Sequence, residues 1–535
     1  MMRISTRSFA LILLTFFSFT VNAVNLSRDA TGQVLLYPYY NVNQGNVTFV
    51  SVTNTTAVAK AVKVRFREGV GGESVFDFTL YLSPRDVWVG AVSQQSGAVR
   101  LSVPADTSCT IPATLASVDF SAARIDSAYD PDESGTQSSA EVLERLSEGH
   151  IEIIELAELP STTDANEIAV AISHRQFATP VTPIDCTVAV SFNDTVDLGA
   201  ILDAGSVTAS SVTQDFQSPG GGLMGNAAIF NATSGIYFPY NATALRAFAS
   251  NPIWWPQNSE VFTHVEGVAT SGEDSAGNAI SNYRTADEGT SVPSAGGTLN
   301  IDLPDLSTPS MAEVTADSSA YMAFSHATAG GELVINSGSF GGSVPDAKYD
   351  KASAVGAALT ANRIMGEYIN SGDYGTEWIV TFPTRYTKVS NSKADAPFTT
   401  TETASSGMAC ENMLIDYWDR EEQKNSESFI MGPEPNQIRF CYAANVLSPY
   451  LTTSFDTIDV VYSKAAKLTF SLEYDDGWGY VDMSRRSVTP TLFNAGDPGG
   501  ELLGLPLIGF IAVADTVTGT ERGGVFPLRV MADEQ

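Results

Sequence analysis

Val62-Lys63-Val64-Arg65-Phe66-Arg67 alternates apolar and basic residues with a period of two. Successive side chains of a strand point to opposite faces, so this stretch predicts a β-strand with one apolar face and one charged face. Its neighbours read the same way. Gly32–Tyr40 is apolar and aromatic, and Gly45–Thr53 alternates with Val47, Phe49 and Ser51 on one face. Val75–Leu82 alternates again, Ser83-Pro84-Arg85-Asp86 closes it as a turn, and Asp86–Val92 resumes. Short strands separated by Gly, Asn and Pro turns predict a mainly β chain built of immunoglobulin-like β-sandwich domains.

Outward from this module, residues 24–105, the character changes. Residues 106–215 read as a small mixed α/β insertion, with a helix over Ser138–Gly149 and a strand over Ile168–Ser173. Ile151–Leu156 fits either a strand or more helix. The polar stretch Asp203–Gly222 suggests the main boundary of a multi-domain chain. Beyond it, 223–535 reads as a β-rich region of one or two domains, with strands at Ala227–Asn231, Gly235–Tyr240, Glu377–Thr381, Gln437–Tyr442, Lys467–Tyr474 and Leu505–Ala514. Residues 265–320 are dominated by Ser, Thr, Gly, Ala and Asp and read as a long polar excursion.

The first 23 residues have the form of a secretory signal peptide. Arg3 and Arg7 precede the apolar run Phe9–Val21, and Val21-Asn22-Ala23 is a small-residue cleavage site. The run is shorter than the roughly 20 residues a membrane-spanning helix needs. Export implies an oxidising compartment, where four cysteines pair. Keeping each pair within one half of the chain favours Cys109–Cys186 and Cys410–Cys441 among the three possible pairings. The chain carries 29 basic and 61 acidic residues, and removing the signal leaves a net −34. That balance argues against nucleic acid and anionic lipid as partners. It is compatible with solubility and with divalent cation binding.

Catalytic motifs are scarce. His150, His174, His264 and His326 form no HExxH or other close ligand spacing. Gly220–Gly225 matches GxGxxG, but a polar stretch precedes it and a strand follows, the wrong context for a dinucleotide. The best chemical motif is a calcium loop. Asp130, Asp132 and Ser134 supply oxygens, Gly135 permits the turn, and Glu141 offers a bidentate carboxylate ahead of a helix. Pro131 and Gln137 depart from that pattern, and an acidic turn capping the helix explains the same residues. Asp475-Asp476-Gly477 with Asp482 reads better as a turn than as a second site. Trp254 and Trp255, between Pro252 and Pro256, read more readily as core packing at a domain junction than as an exposed anchor. Asn231-Ala232-Thr233 reads as turn chemistry.

Several strings resemble one family. They are Gly32–Tyr40, Asn46–Thr48, Asn54–Thr56 with Ala59–Glu68, Leu80–Trp88, Gly149–Glu155 and Leu223–Asn226. Together they resemble the surface-layer (S-layer) proteins of marine Gammaproteobacteria of the Pseudoalteromonas type, most densely over 32–90. The resemblance implies an extracellular, non-enzymatic, self-assembling lattice on the cell surface, and it supplies no catalytic residues. The expected partners are copies of the chain, with outer-membrane lipopolysaccharide as a further candidate. A secreted adhesin or biofilm-matrix binding protein is the alternative, and a secreted hydrolase a weaker one.

Overall fold

The computed structural model describes residues 24–103, 106–113, 137–159, 167–174, 181–195, 216–249, 351–390, 410–425, 437–451, 459–484, 501–515 and 522–531, with short pieces between them. The expected signal peptide and most of 265–320 lie outside the described residues. The fold is mainly β, with few helices.

The first sandwich pairs a seven-stranded sheet with a six-stranded one. The seven-stranded sheet runs β1 (Asn25–Leu26), β13 (Thr243–Arg246), β2 (Val34–Asn41), β10 (Glu148–Leu159), β4 (Ala59–Glu68), β5 (Ser74–Leu82), β8 (Cys109–Ile111). The six-stranded sheet runs β12 (Tyr237–Asn241), β11 (Leu223–Asn231), β3 (Asn46–Asn54), β6 (Val87–Gln95), β7 (Ala98–Ser102), β9 (Val118–Asp119). Val62, Val64 and Phe66 of β4 meet Val50, Val52 and Trp88 of the other sheet in one core. The apolar face read from residues 62–67 is therefore the inner face. Each sheet has more strands than an immunoglobulin half-sandwich. The extra strands come from 109–159 and from 223–246, so the first sandwich is not complete within 24–105, and the stretch 203–222 does not separate sheets. Gly149 is required where β10 enters between β2 and β4, because a Cβ there would lie 1.9 Å from the Arg67 carbonyl oxygen.

Helix α1 spans Ser139–Leu146, close to expectation, and the ambiguous Ile151–Leu156 belongs to strand β10. The strand expected at Ile168–Ser173 is instead a short helix, α2 (Glu167–Ala171). Ile168, Ala169 and Ile172 are buried while Val170 is exposed, a helical spacing that a period-two reading of a short apolar run misses. A further helix, α3 (Thr187–Thr195), follows Cys186, whose disulfide to Cys109 ties it to β8. The second disulfide, Cys410–Cys441, packs on Val70.

The second sandwich has two five-stranded sheets. One comprises β14 (Arg363–Ile369), β16 (Glu411–Asp419), β17 (Gln437–Phe440), β20 (Asp476–Asp482) and β23 (Arg529–Met531). The other comprises β15 (Tyr374–Thr381), β18 (Ala444–Leu451), β19 (Lys467–Leu472), β21 (Ile508–Asp515) and β22 (Arg522–Pro527). Trp378, Val380 and Ile511 face Ile364, Ile415 and Val481 in its core. Ile379, Phe510 and Ala512, on the opposite face, belong to the core of the first sandwich. The two sandwiches thus share apolar packing.

Polar groups fix that junction. The buried Glu148 carboxylate, at the start of β10, accepts hydrogen bonds from the backbone N–H groups of Lys464 (2.8 Å), Ala465 (2.5 Å) and Ala466 (3.1 Å) and from the hydroxyls of Ser463 (2.7 Å) and Tyr39. Asn46 Nδ2 donates to the Val461 carbonyl at 3.0 Å, and the Thr381 hydroxyl donates to the Pro38 carbonyl at 2.5 Å. Glu377 accepts from the N–H groups of Val460 (3.1 Å) and Val461 (2.7 Å).

Burial pushes the Glu377 carboxyl up to about 7, against the Val461 N–H, which favours the charged form. The folded chain then keeps a proton that the unfolded chain releases near its ordinary value of 4.5. The associated stability is complete below that value and is lost as the pH rises to about 7. Glu377→Gln keeps an acceptor and cannot ionise. In urea unfolding, its stability relative to the parent should improve by about 2 kcal/mol between pH 5 and pH 8. Parallel stability curves would show that Glu377 is ionised in the folded chain throughout this range.

Candidate functional site

Asp130, Asp132 and Ser134 of the expected calcium loop lie outside the described residues. Glu141 is described, and it caps α1. Its carboxylate accepts the Ser138 N–H at 2.5 Å while Ser138 Oγ accepts the Glu141 N–H at 3.3 Å, a capping box. Asp475-Asp476-Gly477, read as a turn, instead runs into strand β20, whose period-two ladder the Asp-Asp-Gly string conceals; Asp476 Oδ1 accepts from the N–H groups of Asn370 and Ser371, and Asp482 Oδ1 accepts from Ser484. Asn231 Oδ1 caps its own turn through Thr233 and Ser234. Trp254 is core. It is buried, stacks on Phe216 and donates from Nε1 to the Tyr81 hydroxyl. Leu223–Asn231 of the GxGxxG region forms a strand.

The charged face of β4 is not a solvent face. Lys63, Arg65 and Arg67 are at most 1% exposed. A third layer covers them, made of Ile172, Ala189, Trp254, Leu306, Leu359 and Tyr386, which cluster with the outer residues Val34, Leu36, Tyr81 and Ile154 of the seven-stranded sheet. Beneath it the charges pair. Lys63 meets Asp77, and Gln257 bridges them, accepting from Lys63 at 2.8 Å and donating to Asp77 at 2.7 Å. Arg67 donates to Glu152 at 2.5 Å and to the Gly72 carbonyl at 2.9 Å, approaches Asp305 at 4.0 Å and lies 3.4 Å from the Tyr386 ring centroid. His150 sits 3.9 Å from Glu152. Burial, with Arg67 adding to it, pushes this imidazole down to about 3, so it stays neutral.

The six-stranded sheet presents a different outer face. Phe49, Val87, Val89, Met224 and Tyr237 are 37–50% exposed. Register aligns them in rows. Tyr237, Phe230, Val47 and Ser93 form one, and Pro239, Ala228, Phe49 and Ala91 the next. Asn241, Asn226, Ser51 and Val89 follow, and then Met224, Thr53 and Val87. None of these residues is charged. Charge returns along β6, where the Asp86 and Asp106 carboxylates accept the Val87 and Val89 N–H groups, and at the far edge, where Arg100 pairs with Asp119. The alternation in Gly45–Thr53 placed Val47, Phe49 and Ser51 together, and the structure turns that shared face outward while Val50 and Val52 fill the core.

Protein-family models, curated proteins and solved structures gave no match to the chain. Among the described residues no helix is long and apolar enough to cross a membrane.

The buried layer yields a double-mutant test. Arg67→Met should deprive buried Glu152 of its hydrogen-bonded cation, leaving Arg65 as the remaining charge acting on it, and cost on the order of 3–5 kcal/mol in urea unfolding. Adding Glu152→Leu should recover a substantial part of that loss. Additive losses would mean that the two side chains are not coupled.

Proposed function

We propose that the chain is a structural surface-layer protein that assembles with copies of itself into a two-dimensional lattice on the outside of a bacterial cell. The uncharged outer face of the six-stranded sheet carries this reading. A chain with 61 acidic and 29 basic residues repels its own copies, and screening beyond about 8 Å does not remove repulsion at close contact. A face whose aligned rows carry no charged side chain, with the Asp86 and Asp106 carboxylates only at its β6 margin, is where two copies can meet with least of that penalty. Exposed apolar patches of this kind mark association surfaces. A stable contact buries on the order of 1,600 Å² in total. Contacts between unlike surfaces can propagate without closing, which is what a lattice needs. Two sandwiches joined through a common core supply a stiff tile. A secreted adhesin or matrix protein is the alternative reading, and its purified form would stay monodisperse.

Phe49→Asp combined with Val89→Asp places like charge at the centre of the face. In electron microscopy of purified protein with calcium, the parent should form ordered sheets and the variant should not, while its circular dichroism stays native. A variant that tiles like the parent removes this face from the lattice contacts. Calcium held by Asp130, Asp132, Ser134 and Glu141 would neutralise acidic charge between neighbours. A chelator should therefore disperse the sheets, and Asp130→Asn should raise the calcium concentration they require. Sheets and folded stability indifferent to the chelator contradict the calcium part of the proposal. Lipopolysaccharide is the proposed surface on which the lattice rests.

A further inference from the structure

The outer face of the second sandwich carries an aromatic cluster that neither the core nor the junction uses. Register places Trp418 on β16 directly across from Trp478 on β20, and Trp478 directly across from Glu367 on β14. The two indoles stack with centroids 4.6 Å apart and planes 11° apart. Tyr480 lies 5.7 Å from Trp418. Trp88, Trp254 and Trp378 are buried, whereas Trp478 is 42% exposed. One face of Trp478 is covered by Trp418, so the other looks toward the Glu367 side.

Hydrogen-bonding groups ring the cluster. Asp416 accepts from the Tyr480 hydroxyl at 2.7 Å and pairs with Lys424 at 3.0 Å. Lys424 stands 5.8 Å over the Trp418 ring, and Arg363 stands 4.4 Å over Tyr480 while pairing with Asp482. Arg420 pairs with Asp476. Glu367 is exposed, and among the described residues its carboxylate has no hydrogen-bond or ion-pair partner. Among the described residues neither indole N–H has a hydrogen-bond partner.

We propose that this face binds a glycan, with a pyranose ring stacked on the open face of Trp478 and its hydroxyls held by Glu367, which register places on that side of the indole. A pyranose has a flat face of C–H groups and a rim of hydroxyls. The negative face of an indole attracts polarised C–H groups, and charged side chains make the stronger hydrogen bonds to hydroxyls. A protein partner fits less well. Interface cores are depleted in charge, and covering this ring would desolvate charged groups on every side of a small apolar centre. A sugar leaves most of them wet. Glycan binding goes beyond the lattice reading and does not depend on it.

The test uses soluble full-length protein. Binding is followed by calorimetry and by the fluorescence of the exposed indole. The probes are tetrasaccharides of glucose, N-acetylglucosamine, mannose and galactose, the polysaccharide released by mild acid from the producing cells' outer membrane, and the polysaccharide shed into their medium. At least one should bind, and the last two probes distinguish a cell-wall source from a secreted one. Trp478→Ala should weaken binding at least about tenfold, Trp478→Tyr should weaken it less, and Glu367→Gln should weaken it a few-fold. Val170→Ser, at an exposed position on α2, should leave it unchanged. Failure of every glycan at millimolar concentration, binding unaffected by Trp478→Ala and Glu367→Gln, or binding of choline in place of any glycan overturns the proposal.

Discussion

One buried carboxylate organises the relation between the two halves of the chain. Glu148 stands at the first position of β10, between β2 and β4, and receives three consecutive backbone N–H groups from 464–466 of the second sandwich. Successive N–H groups converging on an anion form a nest, one of the strongest ways to hold a charge away from water. Burial pushes the Glu148 carboxyl up, while the hydroxyls of Tyr39 and Ser463 and the N–H groups pull it back. Five donors from two parts of the chain are satisfied by one side chain, so the sandwiches cannot separate without stranding them. A second nest lies at the adjoining end of β4, whose register sets Glu68 opposite Gly149: Glu68 accepts from the N–H groups of residues 70–73 and pairs with Arg145. Burial alone would raise the Glu68 carboxyl, yet Arg145 and these donors hold it well below the usual carboxylate range.

The sequence made the strands readable because alternation survives even when both faces of a sheet are covered. Residues 62–67 predicted a strand, and a strand they form. The destination of the second face was not readable. A row of Lys and Arg opposite an apolar row ordinarily faces water, and here Ile172, Ala189, Trp254, Leu306, Leu359 and Tyr386 convert it into an interior layer. Those covering pieces are distant in sequence, and their pairing with β4 leaves no local pattern. Leu223–Asn231 likewise looked like the start of a second unit, because nothing local announces that it pairs with β3. The two disulfides were legible from the economy of pairing within each half.

Candidate sites divided along the same line. Glu141 reads from the sequence as a calcium ligand, with helix capping as the competing reading of the same residues, and the structure shows it in a capping box at the start of α1. The uncharged face was visible in part, in the alternation of Val47, Phe49 and Ser51, but its extent needed the register that adds β6, β11 and β12. Trp418 and Trp478 are 60 positions apart in the numbering and meet only through the pairing of β16 with β20. Charge ties these surfaces into one account. A strongly acidic chain leaves one broad face neutral, where copies could meet, and sets its exposed indoles among groups suited to hydroxyls.

The central physical claim is that Glu148 makes one cooperative body of two sandwiches, and scanning calorimetry tests it most directly. The parent should unfold in a single transition. Glu148→Ala should split it into two, with the second sandwich melting independently, because removing a buried, fully bonded anion leaves its donors unsatisfied at about 1–3 kcal/mol each. A single transition at an unchanged temperature in Glu148→Ala would contradict the account.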